Sequence, residues 1–159
     1  MTDTGFNVTF PALSASNLEG VRYELPGDFE GELNLLIIAF QRRHQEDVNT
    51  WLPFVRELRG HLPILHYYEL PVISRGNPVF RLWLDNAMKA GIPGKESRSS
   101  TITLHVDKPA FRAALDITDE DDICVILTDK LGHVLWRTQG PMDDAKRMAL
   151  ARLLQTGRI

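Results

Sequence analysis

The chain has 159 residues and a mass of 18.0 kDa; 43% of the residues are hydrophobic and 25% charged, the usage of one globular domain rather than of a disordered chain. A net charge of −3 and a pI near 5.9 give no global field that would favour nucleic acid or an anionic membrane. A single cysteine excludes a disulfide framework, a cysteine-rich zinc site and a CxxC redox pair within one chain.

Residues 6–10 and 20–25 read as two short strands. The second alternates apolar and polar residues through Val21-Arg22-Tyr23-Glu24-Leu25, as a strand with one wet face does. Pro26-Gly27-Asp28 then turns the chain. Leu33 to Phe40 is short, nearly continuous apolar sequence, the mark of a strand covered on both faces. From Gln45 to Leu62, Val48, Trp51, Leu52, Val55 and Leu58 form one helical stripe, with Pro53 inside it expected to kink or restart the helix. Pro63 to Ile73 reads as another strand. Asn77-Pro78 should open a helix, which would carry Phe80, Trp83, Leu84, Ala87 and Met88 on one side.

Gly91 to Ser100 reads as a loop, Thr101 to Val106 as a strand, and Lys108 to Leu115 as a short helix opened by Pro109. Ile123–Leu127 and Val134–Arg137 flank an Asp- and Gly-containing loop and predict a hairpin. The last helix is expected from about Met142 to Gln155, with Ala145, Met148, Ala149 and Leu153 as its apolar stripe and Gly157 as its stop. Strands alternating with helices demand crossovers and a parallel portion of sheet; the late hairpin adds an antiparallel portion. The expectation is a single-domain, three-layer α/β/α sandwich with a mixed sheet over residues 1–159.

The Phe29-Glu30-Gly31 turn into Leu33–Phe40, the helix just beyond Gln41–His44, and the ending ICVILTDKLGHVLWRTQGP followed by a helix carry a resemblance. Together they resemble the thioredoxin-like superfamily in its peroxiredoxin and alkyl hydroperoxide reductase-like form. That form has an N-terminal β extension and a C-terminal β-hairpin plus helix. They are also similar to the mitochondrial ATP synthase assembly-factor family. The resemblance covers about Phe10 to Leu154. It implies a reactive cysteine at the end of the first central strand, where the helix dipole lowers the thiol pKa. Here that stretch is Gln41-Arg42-Arg43-His44-Gln45-Glu46-Asp47, without cysteine or serine. The proline that precedes the hairpin strand in that superfamily is missing from Asp119-Glu120-Asp121-Asp122-Ile123.

Cys124, within the apolar run ICVIL, reads as a structural thiol. Arg42, Arg43, His44, Gln45 and Glu46 form the candidate binding site: two cations at a helix start favour an anion, while Glu46 and Asp47 compete with it. Of the five histidines, His61 with His66 and His66 with His105 are the pairs that could approach, but none shows metal-ligand spacing. The 94–100 stretch is not a phosphate loop, and neither GxSxG nor GxGxxG occurs. Tyr67, Tyr68, Trp51, Trp83 and Trp136 read as packing residues.

The N-terminal sequence has no signal-peptide pattern, and no apolar run approaches the ~20 residues of a membrane span, so a cytoplasmic protein is expected. The reading that results is a redox-inactive protein acting by binding in an assembly, chaperone-like or regulatory role, with no cofactor, metal or nucleic acid. Its expected partner is another protein, with a homodimer as an open alternative. A non-thiol enzyme or small-molecule binder using the 41–47 loop, and a peroxiredoxin-like antioxidant, are the other two readings.

Overall fold

The computed structural model describes residues 8–74 and 95–156. Seven strands form one mixed sheet: β1 (Leu13–Asn17), β2 (Arg22–Leu25), β3 (Leu33–Ala39), β4 (Leu65–Ser74), β5 (Ile102–Val106), β6 (Cys124–Asp129) and β7 (Val134–Gln139). Their order is β2-β1-β5-β4-β3-β6-β7. β4 runs parallel to both β3 and β5, while β6 is antiparallel to β3 and β7, and β1 is antiparallel to β2 and β5. The described helices are α1 (Gln45–His61), α2 (Lys95–Ser100), α3 (Lys108–Ala114) and α4 (Asp144–Thr156).

The continuous apolar run of β3 is explained by two cores. Leu35 and Ile37 pack with Val48, Trp51 and Val55 of α1 and Leu150 of α4. Leu36 and Ile38 face the other way, among Leu70, Val72, Leu104, Phe111 of α3 and Phe10 of the N-terminal segment. Period-two alternation therefore feeds both layers at once, and every position is apolar except the buried Asn34, whose side-chain amide is matched by the Gly31 backbone. The buried Trp51 also donates its indole N–H to the Gly140 carbonyl at 3.0 Å, which ties α1 to the chain leaving β7.

Several expectations need correction. Of the strand expected at 6–10, residues 6 and 7 lie outside the described residues and 8–10 form a short strap in which Thr9 bridges His133; the first strand among the described residues is Leu13–Asn17. Pro53 does not break α1, which runs unbroken past it. Pro53 is exposed, and so is Asn49, whose carbonyl loses its helical donor to the proline. Part of the expected 91–100 loop, Lys95–Ser100, is helical. The stripe expected on the last helix is displaced: Ala145, Met148 and Ala149 are exposed, and Leu150 is the residue buried. The helix expected after Asn77-Pro78, with Trp83, and the Gly157 stop lie outside the described residues. No helix among the described residues is long and apolar enough to cross a membrane.

Candidate functional site at the β3–α1 turn

β3 delivers the chain to Phe40, Gln41 is extended, and Arg42–His44 form a single 3-10 turn that runs directly into α1. The His44 ring folds back into this turn and is buried. Its Nδ1 accepts the Phe40 N–H at 3.0 Å, so the ring proton sits on Nε2, which lies 3.1 Å from the Asp121 carbonyl and donates to it. Gln41 donates Nε2 to the Glu120 carbonyl at 2.7 Å and accepts from Arg43 Nε at 3.0 Å. Arg43 Nη2 donates to the Asp121 carbonyl at 2.9 Å. Gln41, Arg43 and His44 thus bind one strip of backbone in the loop before β6.

α3 braces the same loop from the other side. Lys108 Nζ donates to the Phe40 carbonyl at 3.1 Å and pairs with Glu120 at 3.6 Å. Arg112 Nε pairs with Glu120 at 3.0 Å, and its Nη1 donates to the Thr118 carbonyl. Glu120 is therefore held by two cations, and its backbone by Gln41.

The remaining candidates stay outside this network. Gln45 donates to Asn49 one turn along α1, and Glu46 is exposed in the first turn. Arg42 is exposed, and no hydrogen bond or ion pair holds its guanidinium among the described residues. Arg42, Gln45 and Lys108 line a cleft of about 180 Å³ at the carboxyl ends of β3 and β4, together with Glu69, Pro71 and Ile73. Glu69 is half-buried on β4, opposite Ile37. Burial pushes its carboxyl pKa up, against the opposing pull of a Gln45 hydrogen bond and the Arg56 charge. Sequence reasoning missed Glu69 and Lys108. The signal available was one acidic residue inside an otherwise apolar strand, where an ionised side chain is expensive.

Cys124 opens β6 and is fully buried. It pairs with Ile38 and Gln139 and belongs to the core on the α3 side of the sheet, on the opposite face from α1. Burial pushes its thiol up, only partly offset by Arg137, whose Nη2 lies 3.9 Å from the sulfur. The same guanidinium donates to the Leu115 and Asp116 carbonyls, so its first task is to close the end of α3. His66 and His105 do not meet: the register sets His105 beside Ile73, seven residues and about 23 Å along β4 from His66. Among the described residues no group of three His, Cys, Asp or Glu side chains could hold a metal ion.

No protein-family model matches the sequence, and no curated protein matches it significantly. Solved structures do. The chain is similar to BsSco, a member of the Sco family of cytochrome c oxidase assembly proteins, with a TM-score of 0.68 and 11% identity, covering 100% of this chain and 98% of that one. It is similar to the thioredoxin domain of a thiol-disulfide oxidoreductase from Bacteroides vulgatus, with a TM-score of 0.61 and 15% identity over 96% and 99% of the two chains. It is also similar to an exposed lipoprotein thioredoxin from Streptococcus pneumoniae, with a TM-score of 0.56 and 16% identity over 92% and 99%. The protein therefore has the thioredoxin-like fold of these proteins, built with a single cysteine that lies in β6 and not in the β3–α1 turn.

Proposed function

We propose that this is a redox-inactive thioredoxin-like protein that works by binding, in an assembly, chaperone-like or regulatory role. One observation carries the reading. The turn where the fold places its nucleophile, Gln41–His44, holds only amide, guanidinium and imidazole groups, and those of Gln41, Arg43 and His44 are spent on the Glu120–Asp121 backbone. Thiol-disulfide exchange needs an accessible thiolate, and the one thiol is buried with its pKa raised. That the fold also serves BsSco, described as an assembly protein, supports the assembly form of the reading. The test is turnover with insulin disulfide and with hydrogen peroxide, against heat-inactivated protein. None is expected, and Cys124→Ser should leave the result unchanged. Thiol labelling of the native protein should be slow and accelerate on denaturation. Fast native labelling with peroxide turnover would instead establish a peroxiredoxin-like antioxidant.

A second reading rests on the cleft. The helix unit that starts at Arg42 has no side-chain cap, and Arg42 itself is unengaged among the described residues. Uncapped N–H groups beside a cation suit an anionic small molecule. This reading is compatible with the first, since it needs no thiol.

A further inference from the structure

Three of the four residues from Gln41 to His44 are bound to the 120–121 backbone; Arg42, exposed and lining the cleft, is the one left over. The apolar lining of the cleft includes three half-buried residues, Ala39, Pro71 and Ile73. The other polar groups are already engaged. Lys108 is held by the Phe40 carbonyl and Glu120, and Glu69 faces Gln45 and Arg56 from α1. Building on the second reading above, we propose that the cleft binds a small organic monocarboxylate, its carboxylate paired with Arg42 and its hydrocarbon part against Ala39, Pro71 and Ile73.

The charges around the opening select this class over its neighbours. A cation would meet Arg42 and Lys108 and would have to compete with Arg56 for Glu69. A multiply charged anion such as inorganic phosphate would gain from Arg42 but pay against Glu46 and Asp47 in the first turn of α1, and would leave the apolar walls wet. A single negative charge on a short hydrocarbon body fits both features, and a volume of about 180 Å³ admits a chain of a few carbons. Burial pushes the Glu69 pKa up, which weakens its repulsion of a carboxylate bound nearby.

The test is a titration of the full chain with hexanoate, followed by backbone amide shifts in NMR. Parallel arms use hexylammonium, hexanol and inorganic phosphate. Saturable shifts confined to residues 39–45 and 69–73 are expected with hexanoate, with the dissociation constant raised at least about tenfold by Arg42→Ala, the loss expected for a charge-assisted pair. Arg42 is exposed, so that variant should fold, and Arg22→Ala on the distant strand β2 should leave the titration unchanged. Phosphate binding as tightly as hexanoate would reduce the site to a helix-end anion hole and overturn the proposal. So would tighter binding of hexylammonium, equal binding of hexanol, indifference to Arg42→Ala, or no saturation. None of these outcomes bears on thiol turnover, so this proposal and the redox-inactive reading fail separately.

Discussion

The His44 ring is 1% exposed, with both nitrogens occupied, one by the Phe40 N–H and the other by the Asp121 carbonyl. Removing the ring leaves a backbone donor and a backbone acceptor unmatched in a site closed to water. His44→Ala is therefore expected to cost about 2–3 kcal/mol in urea unfolding; a cost near zero would mean that the turn does not depend on the ring. Glu69 gives a pH-dependent signature. Its pKa is raised in the folded state, so folding retains a proton that the unfolded chain releases. Its contribution to stability is complete below the ordinary carboxyl pKa and is lost as pH rises through the raised folded value. Glu69→Gln carries no charge at any pH. Its stability relative to the parent should therefore grow from about pH 4 upward and level off once the native carboxyl is ionised. A difference that stays flat between about pH 4 and pH 8 would contradict the burial of this carboxyl.

α4 shows why a helical stripe read from spacing alone can be rotated about its axis. Apolar residues at 145, 148, 149, 150, 153 and 154 support more than one face, and composition does not choose among them. Contact with α1 chooses: Leu150 is 1% exposed in the core with Trp51 and Val55, whereas Met148 is 57% exposed. Leu150→Ala should cost about 2–4 kcal/mol and Met148→Ala no more than about 0.5 kcal/mol, both by chemical denaturation. The reverse ranking would restore the stripe read from sequence. The β6–β7 hairpin, by contrast, was legible because its turn chemistry is local. Asp129 Oδ1 accepts the N–H groups of Leu131 and His133, two and four residues on. Gly132 sits at φ +91°, where a Cβ would also collide with the Pro26 ring at 2.7 Å.

At the scale of the molecule, the N-terminal segment joins parts that are far apart in sequence. Phe10 N–H donates to the Gly132 carbonyl, and Val134 N–H donates to Val8. The Phe10 ring stands edge-on to Phe29 at 5.4 Å and to Phe111 of α3 at 5.9 Å. One side chain thus connects the N-terminal strap, the turn before β3 and the helix that braces the candidate site. Phe10→Ala should cost about 3–5 kcal/mol. Because Phe111 belongs to the helix that carries Lys108 and Arg112, the loss should also loosen the 118–121 loop, read as faster amide hydrogen exchange there. Unchanged exchange in that loop would show that α3 holds its place without the strap.

The sequence by itself determined the types of the described elements from β2 onward apart from the 95–100 helix, the layer architecture and the lack of sulfur at the β3–α1 turn. These follow from period, from turn residues and from residue identity, which are properties of neighbours along the chain. The strap at residues 8–10, the pairing of β1 with β5 and the buried face of α4 were decided only by tertiary structure, because each depends on partners distant in sequence. The candidate site divides along the same line. The residues of its 42–46 turn could be named from position in the fold, but Glu69, Lys108 and the separation of Arg42 from Arg43 and His44 required β4, α3 and the 118–121 loop to be in place. Two adjacent arginines are chemically identical until one of them finds a carbonyl.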